Sequence, residues 1–297
     1  MSTLPPRVVF VTRETELDLL LARHATREQA KFFLETRGQD LGEVEARHLR
    51  QEEALGLAVS SVPDDWQHAA VSRRNLDRFL FTPQDILVAI GQDGLVANMA
   101  KYLSGQKVLG VNPAPDQYDG VLVRFSASEI GKALIRAHAD DCEAQARTMV
   151  EGRLDTGETL LALNELFVGH QSHQSARYEI SDGESSEQQS SSGVIIASGT
   201  GSTGWARSIM LATGTDISLN PTHRELGWFV REPFPSVATG TQMRAGRLGR
   251  NALSITSRMN DAGVVFADGI EHDFLRFGWG QTLDVYPSKR SLNLIVA

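Results

Sequence analysis

The sequence predicts an α/β N-terminal domain with a mostly parallel sheet, residues 1–126, and a β-rich, sandwich-like C-terminal domain, residues 127–297. Two patterns and one dimension lead there. Up to about Phe125, apolar β-type runs alternate with helix-like segments, the order that produces a parallel sheet covered by helices. Beyond it the chain turns to short strands separated by polar turns, the spacing of an antiparallel sandwich. A length of 297 residues favours two modest cores over one.

Composition narrows the function classes. Apolar residues make up 41% of the chain and charged residues 22%, the balance of a soluble globular protein. A formal net charge of −8 argues against nonspecific nucleic-acid binding. No apolar run approaches the ~20 residues a membrane helix needs. The N-terminus, MSTLPPRVVFV, enters a strand without a basic-then-apolar signal pattern, so the expected location is the cytoplasm. The single cysteine, Cys142, excludes an intrachain disulfide and a cysteine-rich zinc site. The expected partner is a small or moderately anionic molecule, with neither nucleic acid nor membrane.

Taken in order, RVVFV (7–11) is the first strand. Helices are expected at 14–22, 27–36 and 41–57, then a strand at 57–61 and another helix over 63–80. The run 85–90 is a buried strand, Gly91-Gln92-Asp93-Gly94 a turn, 95–103 a helix, and KVLGV (107–111) a strand. In 128–148, Ile130, Ala133, Leu134 and Ala137 fall at i, i+3, i+4 and i+7, which predicts one helix carrying Cys142 as a core or boundary residue. The stretch DGESSEQQSSS (182–192) is poor in apolar residues and reads as a mobile surface hairpin loop. Residues 151–158 read as a solvated strand and turn, and Trp228, Phe229 and Phe234 as packing.

Two glycine clusters carry the chemistry. The first, Gly91 to Gly94, sits where a buried strand hands over to a helix, at the strand end where open α/β sheets bind ligands. It is an ordinary turn composition, and it is also a phosphate site in outline. Glycine lets backbone approach a ligand, a helix N-terminus attracts anions, and Asp93 can take a proton from a hydroxyl. The second cluster, VIIASGTGSTGWARSIM (194–210), formally satisfies G-x-G-x-x-G through Gly199, Gly201 and Gly204, but no βαβ unit surrounds it. It lacks the lysine of a phosphate-binding P-loop and the G-x-S-x-G of a nucleophile elbow. What remains is a turn with three hydroxyls, Thr200, Ser202 and Thr203, able to face phosphate or ribose. His170 and His173 lie in a polar turn without a matching carboxylate or cysteine, so no metal site is expected from them.

Read together, GQDG at a strand end, ALNELFVG, SGTGSTGW and VVFADG follow one another in an order that resembles the NAD kinase family. The family pattern runs GGDGT, an Asn-Glu pair after an apolar stretch, TPTGSTAY, and a late Asp-Gly. The matching positions are Gly91, Asp93 and Gly94; Asn164 and Glu165; Thr200, Gly201, Ser202 and Thr203; and Asp268 with Gly269. Further likeness to the mitochondrial-type branch lies in the long helical segment after the first strand, the loop GVNPAPDQYDG (110–120), Ser191-Ser192-Gly193, Trp205 and Arg231-Glu232-Pro233.

The resemblance implies an NAD kinase-like fold with the active site between the two domains. It implies that ATP with a divalent metal such as Mg²⁺ phosphorylates the 2′-hydroxyl of the adenosine ribose of NAD. Asp93 would orient or deprotonate that hydroxyl. Asn164, Glu165, Thr200, Gly201, Ser202, Thr203 and Asp268, with Gly91 and Gly94, would form the nucleotide pocket, in a homodimer. Two positions depart from the pattern. Gln92 stands where the family has its second glycine, and Leu95 where it has threonine, which places a side chain near the expected phosphates and removes a hydroxyl from the helix start. The departure keeps two alternatives open: a degenerate relative that binds NAD or NADP without turnover, and a kinase of the same fold acting on another nucleotide or sugar hydroxyl.

Overall fold

The computed structural model describes residues 5–117, 119–249 and 251–297. Tyr118, within the 110–120 loop singled out in the sequence, lies outside them. The chain forms two compact units, Met1–Gln145 with Asn293–Ala297, and Ala146–Leu292. The division falls after Gln145 rather than at 126. The helix at 130–138 buries its apolar face in the first unit, and the last residues of the chain pair with that unit's sheet.

The first unit runs β1 (Arg7–Thr12), α1 (Glu16–His24), α2 (Arg27–Glu35), α3 (Leu41–Ser60), β2 (Gln67–Ser72), β3 (Ile86–Ile90), α4 (Asp93–Ala100), β4 (Lys107–Val111) and α5 (Ile130–His138). Its strands lie in the order β2-β1-β3-β4 and are parallel. Asn293 and Leu294 add a parallel rung beside β4. One face of the sheet, with Val8, Phe10, Val88 and Ile90, packs under Ala54 and Ala58 of α3 and under Ile130, Ala133, Leu134 and Ala137 of α5. Every residue of β3 is buried, which is why it reads as a continuous apolar run. Arg7 and Thr82 both donate hydrogen bonds to Asp85 at its start. Burial would raise the Asp85 pKa, but those bonds outweigh it and hold the carboxyl below its usual value.

Three expected elements differ. Residues 57–61 continue α3, because Ala58 repeats the contact of Ala54 one turn later. Residues 63–80 hold β2 and a short 3-10 helix, Arg73–Arg78, rather than one helix. In β2, at the sheet edge, Val71 is the one buried residue, so no alternating apolar signal marks it. Third, the helix expected over 128–148 ends at His138; Asp140 then takes φ +55°, outside the helical region, and a strand begins at Ala144. Cys142 therefore sits on the connecting bend, half-buried against the core.

The second unit contains β5 (Ala144–Leu154, which enters from the first unit), β6 (Thr159–Ala162), β7 (Glu165–His170), β8 (Ala176–Ser181), β9 (Ser186–Ser191), β10 (Val194–Ser198), α6 (Trp205–Thr213), β11 (Leu226–Val230), β12 (Ala245–Leu248), β13 (Leu253–Ser257), β14 (Gly263–Ala267), β15 (Phe274–Arg276) and β16 (Thr282–Ile295, which leaves it). One layer orders β16-β13-β8-β9, with β5 on β16 and β6 on β5; the other orders β12-β11-β10-β7-β14-β15 and is antiparallel. Tyr178, Ile180, Ile255 and Leu283 from the first layer meet Leu166, Val168, Ile196, Trp228 and Val265 from the second to form a sandwich core. On its other side the second layer puts Phe167, Ile195, Ala197 and Phe229 together with Trp205, Ala206 and Ile209 of α6. Trp228 and Phe229 thus pack, whereas Phe234 is 64% exposed. Among the described residues no helix is long and apolar enough to cross a membrane.

The segment 182–192 is a turn and a strand rather than a mobile loop. Asp182 Oδ1 accepts from the N–H groups of Glu184 and Ser185, and β9 then pairs with β8 over its whole length. Its polar side chains are buried with partners: Tyr178 Oη bonds Gln189 Oε1 at 3.1 Å and Ser191 Oγ at 2.7 Å, and Gln189 Nε2 donates to Met243 O at 2.7 Å. Residues 151–158 are a strand end and an exposed turn, with Gly152 and Leu154 buried in the strand and Glu151 accepting from Tyr286 and Ser288. Tyr178→Phe should leave Gln189 Oε1 without its donor and lower stability by about 1–3 kcal/mol. Urea unfolding would show this as a lower midpoint at unchanged slope.

Candidate functional site

In the first unit the turn between β3 and α4 is built around Gly91 and Gln92. Gly91 has φ +154°, a value that favours glycine, and its N–H donates to Val111 O at 3.0 Å. Gln92 is the N-cap residue of α4 without a side-chain cap bond. Asp93 opens the helix, two residues earlier than the sequence pattern suggested. Its Oδ1 accepts from the N–H groups of Leu122 at 2.8 Å and Val123 at 3.1 Å, and its Oδ2 from that of Val121 at 3.1 Å. The 121–123 segment reaches this position because residue 110 is glycine; a Cβ there would lie 2.1 Å from Leu122 O. Leu95 is 2% exposed, so the position of the family's threonine is here part of the core. Gly94 is exposed, and a Cβ on it would meet nothing within 4 Å.

A cavity of about 100 Å³ opens beside Gly91 and Gln92, at the carboxyl ends of β1, β3 and β4. Another, of about 210 Å³, lies by Pro6, Ile86 and Lys107 at the opposite ends of the same strands. Ligands of parallel sheets sit at the carboxyl ends, which favours the smaller space.

In the second unit three segments meet. Asp268 follows β14 with φ +50° and turns its carboxylate back onto the β6–β7 corner. It accepts from the N–H groups of Leu163 at 3.0 Å, Asn164 at 2.7 Å and Glu165 at 3.3 Å, while its own N–H donates to Glu165 O at 3.0 Å. Ser198, fully buried at the end of β10, donates its hydroxyl to Leu163 O and accepts from the N–H groups of Thr200 and Gly201. Gly201 lies flat against Asn164, where a Cβ would come within 2.2 Å of the Asn164 carbonyl oxygen. The glycine turn is thereby fixed beside the Asn-Glu pair.

The hydroxyls of this turn divide by role. Ser202 Oγ donates to Gly199 O at 2.8 Å and Thr203 Oγ1 to Thr200 O at 3.3 Å, so both close the turn itself. Thr200 Oγ1 is buried and has no hydrogen-bond partner among the described residues. The side-chain amide of Asn164 and the carboxyl of Glu165 make no hydrogen bond there either. Native proteins satisfy nearly all buried polar groups, so the buried Thr200 Oγ1, beside the half-buried Asn164 and Glu165, suits a polar ligand. Burial first, and the Asp268 charge second, push the Glu165 carboxyl up to about 7. Trp205 stacks on Phe167, with rings 5.8 Å apart and 8° from parallel, and the Arg231 guanidinium lies over the Trp205 ring, 5.0 Å from its centroid.

Ser198 and the amides of 121–123 were not marked by the sequence. A serine inside a strand and a backbone N–H carry no motif, although the serine directly before the glycine turn was a usable cue. His170 Nδ1 accepts from Ser172 within its own turn, and among the described residues no group of three or more His, Cys, Asp or Glu side chains is arranged to hold a metal.

The fold is similar to that of a solved structure, yeast NADH kinase complexed with NADH, with a TM-score of 0.60 at 16% identity over 99% of this chain and 84% of that one. Two curated relatives carry the comparison further. The NAD kinase of Chlorobaculum tepidum is 29% identical over 127 residues, 42% of this chain and 44% of the relative. NAD kinase 2, mitochondrial, of Rattus norvegicus is 27% identical over 274 aligned residues, 74% of this chain and 64% of the relative. The chain therefore spans under two thirds of the length of each. No protein-family model matches it. With the four motifs in order on this fold, the chain is similar to the NAD kinases.

The raised Glu165 pKa makes a stability prediction. A carboxyl with a folded pKa of about 7 against 4.5 unfolded binds a proton more tightly when folded, so its contribution is complete below pH 4.5 and lost as pH rises to about 7. Glu165→Gln should remove that loss. The variant should match the native chain at pH 5 and exceed it by about 1–3 kcal/mol at pH 8, a range set by ~1.4 kcal/mol per pKa unit. Equal stabilities at pH 8 would contradict the assignment.

Proposed function

We propose that this chain transfers the terminal phosphoryl group of ATP to the 2′-hydroxyl of the adenosine ribose of NAD, giving NADP and ADP. The observation that carries the proposal is the corner of polar groups without hydrogen-bond partners, Thr200 Oγ1, Asn164 and Glu165, where Gly201 packs the glycine turn onto Asn164. In this reading these groups bind the dinucleotide, and Asp268 binds it indirectly by shaping the corner. The new bond joins the ribose oxygen to phosphorus, the bond to ADP breaks, and the hydroxyl proton passes to Asp93. A carboxylate offers about four lone-pair sites, and three N–H donors leave room for one more partner. Those donors also fix the oxygens in place, and phosphoryl transfer depends mainly on such positioning.

The divalent ion, Mg²⁺ in this proposal, arrives on the triphosphate and neutralises its charge; the chain's contribution is to bind and orient. The mitochondrial-type likeness supports a homodimer, and we extend the proposal to the cytoplasm. A second reading, a dinucleotide binder without turnover, is favoured by the core position of Leu95 and by the side chain at Gln92. A changed acceptor, another nucleotide or a sugar hydroxyl, is the third.

One assay separates them: purified protein with Mg²⁺, ATP and NAD, followed for NADP. The kinase reading expects NADP from the native chain and a loss on the order of 10²-fold or more in Asp93→Asn, with NAD affinity little changed. NAD bound without NADP formed would favour the binder, and neither would favour the changed acceptor. Full turnover in Asp93→Asn would confine that residue to holding 121–123.

A further inference from the structure

The helical segment between β1 and β2 carries a surface that its own packing leaves open. In α2, Ala30 and Leu34 turn inward and join Leu20, Leu41 and Val44 in a small core, with Phe33 packed at its edge. Phe32, its neighbour in the chain, is 69% exposed. A single exposed phenylalanine is ordinary. This one stands in the middle of a groove of about 440 Å³ that follows one face of α2. Glu28, Gln29, Phe32, Phe33 and Thr36 line it at i, i+1, i+4, i+5 and i+8, and Arg37 closes its end.

The groove is apolar in the middle and charged at its two ends. Glu28, in the first turn of α2, is exposed and makes no ion pair among the described residues. Arg37 makes none there either. Its guanidinium lies over the Phe33 ring, 3.7 Å from the centroid, and donates to Phe33 O at 3.0 Å and Thr36 Oγ1 at 3.1 Å. The other charges of α2 have partners: Arg27 pairs with Glu45 at 2.6 Å and Lys31 with Glu35 at 3.6 Å. Glu28 and Arg37 are thus left over with opposite signs, and Phe32 and Phe33 lie midway between them. A surface in this order is its own complement. Turned about a two-fold axis at the phenylalanines, it sets Glu28 of each copy against Arg37 of the other, and Gln29 against Thr36.

We propose that this face of α2 is a contact between two copies of the chain, joined as antiparallel helices about a two-fold axis. It gives the homodimer proposed above a surface, and it is independent of the kinase reading. Isologous contacts require this kind of self-complementary order. Association removes Phe32 from water, and the rings of the two copies can pack offset or edge to face. The rim charges fix the register more than they add affinity. Stable interfaces cover about 800 Å² on each partner. A helix of nine residues offers less, so this association is weak and depends on protein concentration.

Sedimentation velocity of the full native chain over a range of concentrations, with and without substitutions at these exposed positions, tests the contact. The native chain should pass from monomer to dimer as concentration rises, and Phe32→Asp should weaken the association about tenfold or more. Glu28→Arg and Arg37→Glu should each weaken it about threefold or more, because like charges then face each other. The double variant Glu28→Arg/Arg37→Glu restores the pairing and should recover the association. So should an equimolar mixture of the two single variants, in which one copy has two basic ends and the other two acidic ends. Recovery in either case also excludes misfolding as the cause of the loss. A native chain that stays monomeric overturns the contact. A dimer that Phe32→Asp leaves intact overturns it while the homodimer reading stands on another surface. Association that neither the double variant nor the mixture recovers overturns the antiparallel pairing, and the contact with it.

Discussion

Two aspartates, one in each unit, hold three consecutive peptide N–H groups apiece, and the candidate residues of each unit depend on that unit's own aspartate. Asp93 takes those of Val121, Leu122 and Val123; Asp268 takes those of Leu163, Asn164 and Glu165. Each is followed by glycine, and each pulls an otherwise irregular segment against the end of a strand. Hydrogen bonds to a charged acceptor are worth more than neutral ones, so a single carboxylate can order a loop that has no ladder of its own. The consequence in the second unit is electrostatic. Burial first, and the Asp268 charge held beside it second, push the neighbouring Glu165 carboxyl up to about 7.

The departures from the family pattern acquire a physical meaning in this setting. Leu95 is core, and a threonine there would bury its hydroxyl. Gln92 faces the arginine-lined cavity rather than capping its helix.

Much of this was legible in the residues, for identifiable reasons. β3 and β10 are buried on both faces and read as apolar runs; the two Asp-Gly pairs, the Asn-Glu pair and the glycine turn keep the family's order. What was hidden lacked an apolar signature. β9 buries Gln189 and Ser191 through hydrogen bonds to Tyr178, so composition alone makes it look solvated. β2 buries little at the sheet edge, and residues 144–148 inherit a helical pattern from α5 although the chain has already turned at Asp140. The partners of Asp93 are backbone amides, and Arg13, Arg47 and Arg50 converge only in three dimensions.

The most direct test of this account is amide hydrogen exchange in the native chain, Asp93→Ala and Asp268→Ala. Exchange reports the opening of individual hydrogen bonds, so each clamp can be read separately. The account predicts that the amides of 121–123 are protected in the native chain and lose protection in Asp93→Ala, with 163–165 unaffected. It predicts the reverse pattern in Asp268→Ala. Unchanged protection at 121–123 and at 163–165 in the respective variants would contradict it, because the segments would then be held by something other than the two carboxylates.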